Sequence, residues 1–352
     1  MGSGSKIAFD MKKPYALLFN DIHADKDNLN EFCKNWDEAL DVAKSKEISR
    51  MIIGGDLFQA RAAIPLSVIK AVHLCIKLTQ LAGVEICIIR GNHDLVDQED
   101  SYSYCNIFGE MDGVKVVEKW DILQLSDKAN LFVCGYYPED GTATEKIAEM
   151  EKEINATPPD SVNILYCHWG ISGALSRPSS AELPVKAFRA FDKVLVGHYH
   201  DRCRIKDSKV EYIGASRQAN YGEDEAKGYT VLYDDGSTEF VQNKSNIRFK
   251  TIESTLETVF EDIKDVKELD DPQYRVKVKL RVPLGKEADK KGLIEAGVAK
   301  VEVINEDIEV QETTEYNLEA KFDKTGIKEE YVKDCEENDV DPQLGIYYLD
   351  KI

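Results

Sequence analysis

A layered α/β sandwich followed by a separate small α+β domain is the fold class this sequence predicts, and three observations carry it. Short, continuously apolar runs alternate with helix-length segments over the first half of the chain. Closely spaced strands separated by turn residues follow, and beyond about residue 245 the polarity rises and a new helix–strand pattern begins. The composition agrees: 352 residues, 43% hydrophobic and 31% charged, supply apolar material for two cores and exclude disordered, collagen-like and coiled-coil chains.

The elements follow in order. Apolar runs at Tyr15 to Asn20, Met51 to Gly54, Glu85 to Arg90, Leu131 to Tyr136, Val162 to Cys167 and Val194 to Val196 read as buried strands. Leu29 to Lys46 and Pro65 to Ala82 lie between the first three and are long enough for helices, the second opening on a proline suited to a first turn. After Gly197 the spacing shortens to strands at Val210 to Ile213, Tyr229 to Tyr233 and Glu239 to Gln242, with Asp234-Asp235-Gly236 as a hairpin turn. The second domain reads as a helix at about Thr255 to Lys267, a strand Tyr274 to Val282, a helix at about Lys286 to Ala296 and a strand Ala299 to Ile304. Asn305 to Glu319 is acidic and weakly patterned, and Lys328 to Glu337 reads as a last short helix. Residues 1 to 10 read as an appended tail, with Met11 the natural start.

Forty-five basic and 65 acidic residues give a net charge of −20, of which −8 falls in residues 1 to 250 and −12 in 251 to 352. That sign argues against bulk attraction to polyanions, so any nucleic acid must be held locally. No apolar run reaches the roughly 20 residues of a bilayer-spanning helix, and the N-terminus lacks a signal peptide, so a cytoplasmic protein without membrane attachment is expected. The eight scattered cysteines form no C-x-x-C pair and read as buried free thiols.

The chemistry sits at the strand ends. Asp21-Ile22-His23 follows the first strand, and an i, i+2 pair in extended chain projects to one side, so carboxylate and imidazole converge. Gly54-Gly55-Asp56 ends the second strand, where glycines allow a close turn and the Asp56 oxygens can bridge two cations. Gly91-Asn92-His93-Asp94 ends the third and offers a carbonyl ligand beside a histidine–carboxylate pair suited to proton transfer. His168 follows the Val162 to Cys167 strand, and Gly197-His198-Tyr199-His200 supplies a second same-side pair. Each fragment alone reads equally as a cap, a turn or a satisfied core histidine. Together, at the carboxyl ends of strands where open α/β sheets place ligands, they predict a dinuclear metal site. His73, inside a helix, reads as a packing or surface residue.

This ordered set resembles the calcineurin-like metallophosphoesterase superfamily over about residues 15 to 242. Within it, Gly54-Gly55-Asp56-Leu57-Phe58, Gly91-Asn92-His93-Asp94-Leu95 and the tract from Gly197-His198 through Tyr212-Ile213-Gly214-Ala215-Ser216 to Lys227-Gly228 are similar to the SbcD and meiotic-recombination-eleven nucleases, including phage recombination endonuclease subunits. The resemblance implies a four-layer α/β/β/α nuclease domain at 11–245 and a capping domain at 249–320, leaving 321–352 to bind an ATPase partner. It implies one ion held by Asp21, His23, Asp56 and His200 and another by Asp56, Asn92, His168 and His198, with Asp56 shared. Mixed carboxylate, imidazole and amide donors suit Mn2+, with Fe or Mg2+ as alternatives. His93, oriented by Asp94, is the expected catalytic acid, and phosphodiesters are the expected substrate of a metal-hydroxide mechanism. The implied partners are DNA, an SbcC-like coiled-coil ATPase and a second copy of the chain in a homodimer, in DNA repair or recombination.

Basic residues give the expected DNA contacts: Arg202 and Arg204 after the G-H-x-H motif, and Arg61 and Arg177 in flanking loops. Two other readings stand beside the nuclease. One is a phosphoesterase for a small nucleotide or a phosphoprotein, although Gly55-Asp56-Leu57-Phe58 departs from the G-D-x-V-D-R-G pattern of Ser/Thr phosphatases. The other is a non-catalytic interaction module on the same fold, against which the full ligand set argues.

Overall fold

The computed structural model describes residues 12–59, 61, 63–96, 102–138, 140–175, 182–267, 274–283, 285–305, 331–332, 335, 342–343 and 346. Twelve strands form two six-stranded sheets. The chain begins β1 (Pro14–Phe19), α1 (Leu29–Ser45), β2 (Arg50–Gly54), α2 (Leu66–Leu81), β3 (Glu85–Ile89), then β4 (Val114–Val117), β5 (Trp120–Ser126), β6 (Ala129–Cys134), α3 (Thr142–Ala156) and β7 (Val162–Cys167). It continues with β8 (Lys193–Val196), β9 (Cys203–Arg204), β10 (Val210–Tyr212), β11 (Gly228–Tyr233) and β12 (Thr238–Gln242). The first sheet runs β12-β11-β1-β2-β3-β4 and the second β5-β6-β7-β8-β10-β9. The strands carrying the motifs, β1, β2 and β3 in one sheet and β7 and β8 in the other, pair in parallel, so their carboxyl ends meet at one edge.

The layers follow from side-chain alternation along each strand. Leu17, Phe19, Met51, Ile53, Ile86 and Ile88 pack against Phe32, Trp36 and Ala39 of α1 and Val68, Val72 and Ile76 of α2. Their neighbours Ala16, Leu18, Ile52, Cys87 and Ile89 face the second sheet and meet Leu131, Val133, Ile164, Tyr166 and Leu195. The outer face of that sheet, through Phe132, Cys134, Leu165, Cys167, Val194 and Val196, is covered by Ile147 and Met150 of α3. The result is the α/β/β/α sandwich. Burial of each large side chain in these layers contributes about 1.5–3 kcal/mol, and Trp36, fully buried, also places its indole N–H on Thr79 Oγ1 at 2.9 Å.

A third sheet, β13 (Arg248–Thr255), β14 (Tyr274–Val282) and β15 (Lys300–Asn305), carries α4 (Val259–Lys267) and α5 (Lys290–Glu295). Two compact units divide the chain, Met1–Leu280 with Ala288–Glu302, and Arg281–Glu287 with Val303–Ile352. The acidic stretch expected after Asn305 lies outside the described residues, as does most of the helix expected at Lys328 to Glu337, of which Tyr331, Val332 and Cys335 are described and helical.

Five elements have no counterpart in the expected pattern: β4, β5, α3, β9 and β13. Each has an incomplete apolar signal. Strand β5 is an edge strand with only Leu125 fully buried, and α3 buries just Ala143, Ile147 and Met150 of its 15 residues. All eight cysteines are free thiols, six of them buried. Among the described residues no helix is long and apolar enough to cross a membrane.

Candidate metal centre

Five connections bring the motif residues together, and six of those residues line a cleft of about 410 Å3. Beyond the strands β1 and β2 the two chains continue side by side, with Asp21 N on Gly55 O and His23 N on Asp56 O, both at 3.0 Å. Gly91 is required where the third loop crosses, because a Cβ there would overlap the backbone and carboxylate of Asp56. Gly55 sits at φ 99° with no room for a side chain beside the His168 ring. Asp21, His23, Asp56 and His198 themselves adopt positive φ of 52°, 51°, 50° and 87°. Non-glycine residues held there cost about 1–3 kcal/mol each, a strain that accumulates at working sites. Four of the six such residues described in this chain are motif residues.

The donors face one another across short distances. His23 Nε2 and His200 Nε2 lie 3.1 Å apart. Asp56 Oδ2 is 3.7 Å from His23 Nε2, and its Oδ1 is 3.3 Å from His168 Nε2. Asp21 Oδ1 stands 3.9 Å from both His168 Nε2 and His200 Nε2, and Asn92 Oδ1 is 3.0 Å from His198 Nδ1. His168 Nδ1–H donates to Gly54 O at 2.8 Å, which leaves the fully buried Nε2 without any hydrogen-bond partner. A buried nitrogen of that kind is costly unless something fills the space in front of it. Three groups each bring their donor atoms within 4.8 Å of one another: Asp21, His23 and His200; His23, Asp56 and His93; Asp56, His168 and His198. Imidazoles, carboxylates and an amide oxygen converging around the unpartnered His168 Nε2 fit two divalent cations.

Electrostatics points the same way. Burial lowers His23 to about 4 against the pull of Asp56 and Asp21, and burial with the neighbouring His168 lowers His198 to about 4. Burial also opposes the charge on His168, but Asp56 and Asp21 outweigh it and raise that ring to about 9. Asp56 is the mirror case: burial pushes it up, while His168 and His23 pull harder and hold it well below the usual carboxylate range. Asp56 and His168 thus form a buried charged pair beside two neutral imidazoles.

The family model for calcineurin-like phosphoesterases matches residues 16–202, more than half of the chain. The chain belongs to the calcineurin-like phosphoesterase family. Hydrolysis of phosphoester bonds is the chemistry that this membership carries. The phosphoesterase is 30% identical over 139 residues to the SbcD chain of the SbcCD nuclease of Staphylococcus epidermidis, a match spanning 37% of this chain and 35% of that protein. It therefore aligns with about a third of that relative's length. A crystal structure of TT1561 of Thermus thermophilus aligns over 65% of this chain and 99% of that one, at 13% identity and a TM-score of 0.44.

His23, Asp56, Asn92, His93, His198 and His200 line the phosphoesterase cleft, and Asp21 and His168 lie buried against them. His73 is exposed on α2, away from them. The pairing of His93 with Asp94 needs correction. Asp94 is fully buried and accepts the backbone N–H groups of Phe58 at 2.9 Å and Gly91 at 2.7 Å, while His93 Nδ1–H donates to Gln59 O at 2.8 Å. Burial and the nearby Asp56 push the Asp94 carboxyl up to about 7. Asp94 is a brace for two loops. Asp94→Ala strands two buried donors, and we expect a loss of about 2–5 kcal/mol, read as a lowered denaturation midpoint; an unchanged midpoint would remove the bracing role.

Two of the four arginines, Arg202 and Arg204, are not brought to the cleft as expected. Arg202 is committed inside the fold, to Ile213 O, Thr230 Oγ1 at 3.0 Å and Glu211 at 3.2 Å, with its guanidinium over Phe240. Arg204 donates to Ser208 O within its own hairpin, and Arg177 lies outside the described residues. Of the four, Arg61 lines the cleft, exposed and beside His93.

Sequence reasoning missed Glu223, whose carboxylate holds His200 Nδ1 at 2.7 Å, and Arg217, a buried guanidinium on Ile22 O and His23 O at 2.9 and 3.1 Å. Both come from the loop between β10 and β11, which carries no periodicity.

Proposed function

We propose that this phosphoesterase is a Mn2+-dependent DNA exonuclease and endonuclease subunit, acting with an SbcC-like coiled-coil ATPase in DNA repair or recombination. The observation that carries it is the convergence of seven metal-type donors, five of them lining one cleft together with His93 and Arg61. Its partial likeness to a nuclease component supports DNA as substrate. One ion is assigned to Asp21, His23, Asp56 and His200, and the other to Asp56, Asn92, His168 and His198. Bound divalent ions supply an activated water at neutral pH and neutralise charge developing on phosphorus.

The chain's own residues do the rest. Gly54 O fixes the His168 tautomer, so that Nε2 is the donor facing the centre. Gln59 O holds the His93 ring through Nδ1–H, so that Nε2 of the doubly protonated ring would be the atom that gives its proton to the leaving oxygen and returns to the neutral form. Arg61, at the rim, is placed to hold a phosphate oxygen and orient the ester. Residues 249–320 are assigned as the cap. In support, the Gln218 side chain bonds both the N–H and the carbonyl of Phe249 on β13, at 2.8 and 3.0 Å, next to Ala219 of the cleft wall. Residues 321–352 are left to bind the ATPase.

The test is a gel assay with single-stranded, blunt and hairpin DNA in Mn2+, beside a cyclic mononucleotide and a phosphomonoester, with an Asp56 variant as control. Cleavage of DNA that vanishes in the control is expected. Turnover of the small esters with intact DNA would favour the small-substrate reading instead, to which the net charge of −20 and a cleft lined by one arginine among the described residues give some weight.

Metal uptake should depend on pH with a defined sign. In the metal-free protein His168 is raised to about 9, and His200 is raised as well because Glu223 and Asp21 outweigh its burial. An ion binding at their Nε2 atoms must displace those protons, whereas His23 and His198, lowered to about 4, are already neutral. Apparent Mn2+ affinity is therefore expected to climb from about pH 6.5 to about 8.5, with at least one proton released per protein. Chelator competition at several pH values checks this, and a flat profile would remove His168 from the ligand set.

A further inference from the structure

Glu223 belongs to none of the strand-end motifs, yet its carboxylate reaches the centre from behind. Its side chain is 8% exposed and its Oε1 accepts Nδ1–H of His200 at 2.7 Å. The same carboxylate accepts the backbone N–H of Ala219 at 2.9 Å and the amide of Asn220 at 2.6 Å, both on the cleft wall. A carboxylate can only accept, so this bond places the ring proton on Nδ1 and leaves the Nε2 lone pair, 3.1 Å from His23 Nε2, for a cation. His168 is held differently, by the neutral carbonyl of Gly54. A charged acceptor stands behind one imidazole and a neutral one behind the other, so the two rings are supported differently.

We propose that Glu223 is a positioning residue that locks His200 in the Nδ1–H tautomer and sets the affinity of one ion position, the one built from Asp21, His23, Asp56 and His200. The two positions are thereby made unequal. This rests on the dinuclear reading above and adds to it a residue that never touches the ion or the substrate. The loop that carries Glu223 also clamps the opposite ligand, since Arg217 donates to the carbonyls of Ile22 and His23. Both Nε2 atoms of the His23–His200 pair are thus presented by one stretch of chain.

The test titrates the metal-free full chain with Mn2+ and follows free ion by electron paramagnetic resonance. Wild type is expected to take up two ions with separable affinities. Glu223→Ala should weaken one of them by about 10–100-fold and leave the other within about twofold. Glu223→Gln keeps an oxygen that accepts Nδ1–H and should fall between the two at that same position. Asn220→Ala, which deletes a loop bond to the same carboxylate, should leave both affinities in place. Unchanged binding in Glu223→Ala overturns the proposal, as does an equal loss in Asn220→Ala, which would make Glu223 a loop anchor. If Glu223→Ala does not fold, wild-type affinities in Glu223→Gln overturn it. A wild type that takes up no ion at all overturns the dinuclear reading itself, a failure visible before any variant is made.

Discussion

Asp56→Asn is expected to release the metal and to lower phosphodiester cleavage by about ten-thousandfold, or about 5 kcal/mol of transition-state stabilisation at 1.36 kcal/mol per decade. The reason is positional. Both oxygens of this one side chain face the donor set, Oδ1 toward His168 Nε2 at 3.3 Å and Oδ2 toward His23 Nε2 at 3.7 Å, so that neither proposed ion position survives its neutralisation. Asparagine keeps the shape and can still accept His93 N, now bonded to Oδ1 at 2.8 Å, so the loops stay in place. It replaces one acceptor by an NH2 group that cannot bind a cation. Metal analysis of the purified variant should find far fewer than two Mn2+ per chain, with a circular dichroism spectrum like that of wild type. Two tightly held ions in Asp56→Asn would show that the shared carboxylate is not the bridge.

The parts of this molecule that could be read without coordinates are those whose physics is local. Strands β1, β2, β3, β7 and β8 are buried on both faces, so their apolar runs are continuous, and the ligands follow at their ends because that is where a parallel sheet opens. Strand β13, half-buried along most of its length, mixes Lys250, Glu253 and Ser254 with its apolar residues and gave no such run. At the site, Glu223 stands 23 residues beyond His200, and nothing in the spacing announces that the loop folds back onto the ring. Asp94 shows the opposite failure. Adjacency to His93 suggests a dyad, but on this turn the two side chains part, one reaching Gln59 O and the other reaching back to Gly91 N. Arg202 likewise reads as a phosphate contact after G-H-x-H, whereas the packing of β10 and β11 gives it internal acceptors and the Phe240 ring.

The second large effect is expected at His93. Replacing it with alanine should lower kcat by about a hundredfold to ten-thousandfold, the range of a lost general acid, while Mn2+ affinity stays within about twofold. His93 borders the cleft with its ring edge-on to His23 at 4.9 Å between centroids, and its donor atom lies within 4.8 Å of those of His23 and Asp56. That proximity permits two roles, acid or extra ligand, and the hydrogen bond to Gln59 O leaves Nε2 as the atom that would serve either. A ring held through Nδ1–H presents Nε2 alone, and an Nε2 that carries a proton to a leaving group cannot also hold an ion. A ligand role predicts that metal content and activity fall together in His93→Ala; the acid role predicts full metal content with turnover lost. Substrates with a better leaving group decide further, because an acid that protonates the departing oxygen matters less as that oxygen becomes less basic. For a p-nitrophenyl diester the deficit of His93→Ala should shrink by at least tenfold relative to DNA, and an equal deficit on both substrates would move His93 from proton transfer to charge stabilisation.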